Sequence, residues 1–202
     1  MDAAKIRLSP EEAELVMRAD VILTKNRIIQ KAMVLLGGLQ EKQWDVLAAN
    51  EDHLPGLNAL PGKISKGENY KGLPYLVLDQ PRIFEKEDIL AIRTLFWWGN
   101  FFSTTLQLSG RYKMQYEERI LSNLDELKEE DFSICINDEQ WEYHFEEGNY
   151  TALRQLDASH TRKMIREKPF IKLAKRTGLD QWETSEEKLL DIFTRFIRVL
   201  GD

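Results

Sequence analysis

The sequence predicts an α+β domain with a mostly antiparallel sheet built from two hairpins. A long N-terminal helix and a helical C-terminal part flank that sheet. Three observations carry this. Apolar residues recur at helical spacing before residue 50 and after residue 149. Between them, apolar and polar residues alternate around two turn signals. The order is helices, then strands, then helices, rather than a strand–helix repeat.

The first element opens at Ser9-Pro10-Glu11-Glu12, which supplies a capping serine, a proline at the first helical position and a glutamate at the third. Leu15, Ile22, Ile29 and Leu36 recur every seven residues, with Ala19, Asn26 and Met33 between them. Gly37-Gly38 is expected to end this helix. A helix of this length can also dimerise, and Asn26 is the kind of residue that fixes register in a coiled coil. A shorter helix, Gln40 to Ala49, follows, with Trp44 and Leu47 on one face.

Residues 51–74 carry Pro55, Gly56, Pro61, Gly62, Gly67, Gly72 and Pro74 and read as a long irregular loop. The sheet region is expected over 75–146. Tyr75-Leu76-Val77-Leu78 reads as a strand stopped by Pro81. Next comes Leu95-Phe96-Trp97-Trp98-Gly99-Asn100-Phe101-Phe102, with five aromatic rings around Gly-Asn. Gly99-Asn100 suits a two-residue type II′ turn. That register pairs Trp98 with Phe101 and Trp97 with Phe102, so each pair takes its own face of the sheet. A sheet with rings on both faces is either covered twice or sticky.

Met114 to Glu129 reads as a helix. Phe132 to Ile136 and Trp141 to Phe145 alternate around Asn137-Asp138-Glu139-Gln140 and read as the second hairpin. Residues 149–201 read as helical, with Gly178 as a stop and a further capping box at Thr184 to Glu187. The 202 residues are read as one domain, 1–202.

The net charge of −6 does not advertise nucleic-acid or membrane binding as a whole. The charge is uneven: Ala152 to Arg176 holds eight cations against two carboxylates, leaving −12 on the remainder. As a helix, 162–176 would place Lys168, Lys172, Lys175 and Arg176 on one face. Such a face suits phosphates, or the chain's own acidic stretch from Asp125 to Asp131. A lone Cys135 excludes an internal disulfide and a multi-cysteine zinc site. No signal peptide or membrane span is legible, so a cytoplasmic location and no membrane partner are expected.

No catalytic motif is legible, and no cofactor or metal is implied. His53, His144 and His160 lie far apart and outside any ligand spacing. The loop from Pro61 to Gly72 invites a phosphate reading, but the nucleotide signature fails. Gly56 precedes Gly62-Lys63 by one residue too many, and Ile64 stands where Ser or Thr must hold magnesium. Asp79, after an apolar strand, is either a salt-bridge partner of Arg82 or Arg93 or a general base.

Three functions follow. The first expectation is a non-catalytic binding or protein-interaction domain, using the aromatic hairpin with Trp97 and Trp98, the first helix, or both. Its partner is a protein, with a homodimer as one form. The alternative is an enzyme or receptor for a small anionic ligand, with the glycine-rich loop as lid over Lys63, Tyr70, Asp79, Arg82 and Arg93. The second alternative is a nucleic-acid binder through the basic helix near residues 162–176.

Overall fold

The computed structural model describes residues 6–201. They form α1 (Pro10–Val16), α2 (Ala19–Ala49), β1 (Lys63–Tyr70), β2 (Leu73–Phe84), β3 (Ile89–Trp97) and β4 (Phe101–Ser109). Then come α3 (Gly110–Ser122), α4 (Leu124–Glu129), β5 (Ser133–Cys135), β6 (Tyr150–Ala152), α5 (Ala158–Glu167), β7 (Phe170–Gly178) and α6 (Ser185–Gly201). The seven strands make one sheet in the order β1-β2-β3-β4-β7-β5-β6, and every neighbouring pair is antiparallel. The α+β class and both helical flanks therefore hold.

The capping box at Ser9 is present, with the Glu12 N–H donating to Ser9 Oγ at 3.2 Å and the Ser9 N–H to Glu12 Oε2 at 2.7 Å. The helix it starts is short. It breaks at Met17-Arg18, and α2 then runs unbroken through Gly37-Gly38 to Ala49. The glycines do not stop it because burial overrides propensity. Leu36, Leu39, Gln43 and Leu47 keep one face against the body across the Gly-Gly pair.

The expected loop 51–74 shrinks to about its first half, because β1 is a strand. Tyr70 pairs with Leu73 across Lys71-Gly72, and both turn residues have positive φ, 49° and 83°. That is the requirement of a two-residue type I′ hairpin, whose twist matches the strands. Strand β2 also runs on through Pro81, cis-linked to Gln80, by slipping register between Asp79 and Arg82.

The aromatic hairpin forms, but one residue out of the expected register. Trp97 pairs with Phe101 and Phe96 with Phe102. The Asn100 N–H donates to the Trp97 carbonyl at 3.1 Å, with Gly99 at φ 72° in the third position of the turn. Glycine thus serves a type II turn, not a II′ turn, and Trp98 is drawn into the loop. Trp97 and Phe101 share one face, and Phe96 and Phe102 the other.

The second hairpin is wrong in its partner. Strand β5 pairs with β6, and residues 136–149 between them leave the sheet. Nor is 149–201 all helical: β6 and β7 are strands, and β7 lies between β4 and β5. The expected helix from Met114 splits into α3 and α4 at Asn123.

Helices α2, α3 and α6 cover one sheet face. Two apolar clusters lie beneath them, one around Leu90, Ile92, Leu106 and Phe196, the other around Leu36, Leu76, Phe96 and Phe102. Thr94 and Thr104, paired with each other and fully buried, separate them. The other sheet face is crossed by the segment 136–149, here termed the strap.

Candidate functional site

Beneath the strap the sheet face carries charge. Lys172 on β7 is only 1 % exposed. Its Nζ donates to the carbonyls of Gln140, at 2.9 Å, and Glu142, and lies 4.1 Å from the centre of the Tyr143 ring. Arg93 on β3 makes a bidentate pair with Asp79 on β2, at 2.7 and 2.9 Å, beneath the same tyrosine ring at 4.8 Å. The Tyr143 hydroxyl donates to Gln107 Oε1 at 3.0 Å, and Gln107 Nε2 to Gln140 Oε1 at 3.1 Å. At the far end the Tyr70 oxygen accepts the N–H groups of Tyr143 and His144, at 2.7 and 3.1 Å, and donates to Glu142 at 3.0 Å. Buried charges persist only when partnered; here the strap supplies the carbonyls that hold Lys172, while Arg93 and Asp79 answer each other across the sheet.

Burial sets the protonation of this cluster. It pulls Lys172 down to about 8, helped by the like charge of Arg93 and opposed by Cys135. It pushes Tyr143 up to about 12, and Tyr150 and Cys135 upward as well. Tyr70 is raised by burial and by the Glu142 carboxylate. These groups hold a segment in place. Lys172 and Asp79 are themselves buried and bonded, so neither is open to solvent.

The residues singled out in the sequence are thereby located. Tyr70, Asp79, Arg93 and Trp97 gather under the strap, where the Trp97 indole N–H donates to the Tyr70 carbonyl at 3.2 Å. Lys63 is exposed on the edge strand opposite Asp79, and Arg82 Nε donates to the Pro61 carbonyl at 2.8 Å. The glycine-rich segment is a strand and its turn rather than a lid. Trp98 lies apart from the rest. With Ile28, Phe96, Leu179 and Trp182 it lines an apolar notch of about 300 Å³.

The basic segment is no single helix. It divides into α5 and β7, and alternation along β7 sends Lys172 under the strap while Lys175 reaches the Glu130 carbonyl at 2.7 Å. Arg154 meets Asp131 at 3.0 Å, Arg166 meets Glu118 at 3.1 Å and Lys168 meets Asp138 at 3.0 Å. With Lys163 beside Glu167, ion pairs within the chain engage four of the eight cations, and Arg162, Lys172 and Lys175 are held by backbone carbonyls. Cys135 is buried beside Asn149, 3.6 Å from its Oδ1.

The first helix holds what sequence reading placed on the wrong side. Of the heptad stripe, Ile29 and Leu36 are buried, but Leu15 and Ile22 are exposed. Leu15, Val16, Met17, Ile22 and Leu23 are each 55–78 % exposed, and α1 buries no residue. The arm leaves the body near Lys25, whose Nζ meets Glu68 at 2.6 Å. The signal was present in the sequence. Leu15-Val16-Met17 and Ile22-Leu23 are contiguous apolar runs, broader than one helical face can bury.

No described helix is long and apolar enough to cross a membrane. No family model, curated protein or solved structure matches the chain.

Proposed function

We propose that this protein is a non-catalytic interaction module that pairs with a second copy of itself through its N-terminal arm. One observation carries the reading: five large apolar side chains stand exposed between Leu15 and Leu23, on α1, the break after it and the first turn of α2. Contiguous apolar surface of this kind marks an interaction site on a water-facing protein.

Two further features favour a protein partner, and a second copy in particular. Residues 6–25 hold three cations and four carboxylates, a balance that suits neither a polyanion nor an anionic lipid surface. The same molecule offers a concave counterpart, the notch formed by Ile28, Trp98 and Trp182, beside the base of the arm. In a two-fold pair each arm would enter the partner's notch, an isologous arrangement that closes on itself.

The test is the light-scattering mass of the wild type over a wide concentration range, beside Ile22→Glu and Trp98→Ala. The expected result is a wild-type dimer and an Ile22→Glu monomer that unfolds at the same temperature. Trp98→Ala should weaken the dimer. A wild-type monomer at every concentration overturns the reading, as does a dimer indifferent to Ile22→Glu.

A further inference from the structure

A second concavity lies at the opposite edge of the sheet from the glycine-rich strand. Strand β5 accompanies β7 only as far as Ala174. Past that point β7 has no strand neighbour on that side, and a cavity of about 320 Å³ opens. Arg154 borders it from the turn after β6, and Lys175 and Arg176 from β7. Ser133 adds a hydroxyl to its wall. Tyr150 and Phe145 also line it, their rings stacked with centres 4.5 Å apart and planes within 19°, which makes that part of the wall stiff.

The charge of this wall runs against the charge of the chain. Three cations face one carboxylate, Asp131, in a protein of net charge −6. The three cations are also differently engaged. Lys175 donates to the Glu130 carbonyl at 2.7 Å, and Arg154 meets Asp131 at 3.0 Å. Arg176 lies with its guanidinium 5.6 Å from the centre of the Phe145 ring and, among the described residues, has no carboxylate within 4.0 Å. Of the three, only Arg154 meets a carboxylate and Lys175 is held by a carbonyl, which leaves the Arg176 guanidinium the least engaged among the described residues.

We propose that the cavity binds a small dianion, a phosphate monoester or a dicarboxylate, held between Arg154 and Arg176. Guanidinium groups present paired donors that match the oxygens of either group. Asp131 competes with the ligand for Arg154, so the site discriminates against singly charged anions that cannot displace it. This proposal uses none of the arm or notch residues and stands or falls separately from self-association.

The experiment follows amide shifts of the full chain while inorganic phosphate or succinate is added, with ionic strength held constant by chloride. Saturable shifts are expected at Ser133, Tyr150, Arg154 and Arg176. Arg176→Ala should raise the dissociation constant at least tenfold, while Arg198→Ala, on exposed α6 surface, should leave it unchanged. Asp131→Asn, which removes the competing charge, should tighten binding several-fold. Saturation by phosphate alone assigns the site to phosphate groups, and saturation by both probes assigns it to dianions in general. Shifts that never saturate, that chloride reproduces, or that persist in Arg176→Ala overturn the proposal.

Discussion

Lys172 is 1 % exposed among two carbonyls and two tyrosine rings, while Met17 is 78 % exposed and α1 buries nothing. The two regions invert the usual rule in opposite senses, and the inversions have different causes. Under the strap, charge is buried because residues 136–149 cross the sheet, bonding Lys172 and covering the Arg93–Asp79 pair with the Tyr143 ring. On the arm, apolar surface is exposed because α2 continues past the edge of the body that would cover it. Buried charge thus reports completed intramolecular structure, whereas the apolar surface of the arm is left without intramolecular cover among the described residues, the cover that the proposed self-association would supply.

The contrast can be broken most forcefully at Asp79. Asp79→Ala leaves the half-buried Arg93 without its carboxylate, which should cost about 3 kcal/mol in denaturant unfolding, the low end for a buried pair. A loss below about 1 kcal/mol would mean that the strap face is wet and the contrast false. The next effect is on pH dependence. Lys172 gives up its proton near 8 in the folded chain and near 10.5 when unfolded. Between those values the unfolded state binds the extra proton, so stability should rise with pH, approaching about 1.4 kcal/mol per unit. Cys135, raised from 9.0 by burial, opposes this above that value, because only the unfolded thiol then ionises. The rise should be sought between pH 8 and 9, and Lys172→Met should flatten it.

A smaller effect sharpens the same picture. Tyr143→Phe removes one hydrogen bond to Gln107 and keeps the ring over Arg93 and Lys172, so it should cost about 1 kcal/mol. A much larger loss would assign the strap's hold to that hydroxyl rather than to the network. The smallest change concerns the helix that carries the arm. A Cβ on Gly37 would meet nothing within 4 Å. Gly37→Ala should therefore stabilise the protein by up to about 1 kcal/mol in thermal unfolding, without altering association.

How legible these regions were in the sequence follows from the range of the interactions that make them. The Ser9 box and the β3–β4 hairpin rest on neighbours a few residues apart, and both could be read. The hairpin's register could not, because Gly99 suits either of two turns and only the paired strands choose between them. The strap was illegible for the opposite reason. Tyr70 meets Tyr143, and Lys172 meets Gln140, across more sequence than any periodicity reports. A run of cations was misread as a helical face because alternation along β7 sends Lys172 under the strap and Lys175 to the Glu130 carbonyl. Gly37-Gly38 misled because packing on both sides of the pair outweighs its local preference.

The strand order carries a consequence for how the chain reaches this state. Strands β1 to β4 are joined in sequence, so each can zip onto the last by closing a short turn. The next strand, β7, begins at Phe170, so docking it on β4 closes a loop running from Gly110 to Pro169, a slower step than closing a short turn. During folding, then, a finished four-stranded meander should wait with its β4 edge open, displaying Phe101 and Phe102 beside unsatisfied backbone groups. Such an edge invites pairing between chains. The vulnerable moment in this protein's life is therefore early and dependent on concentration, and rapid dilution should raise refolding yield more than added time.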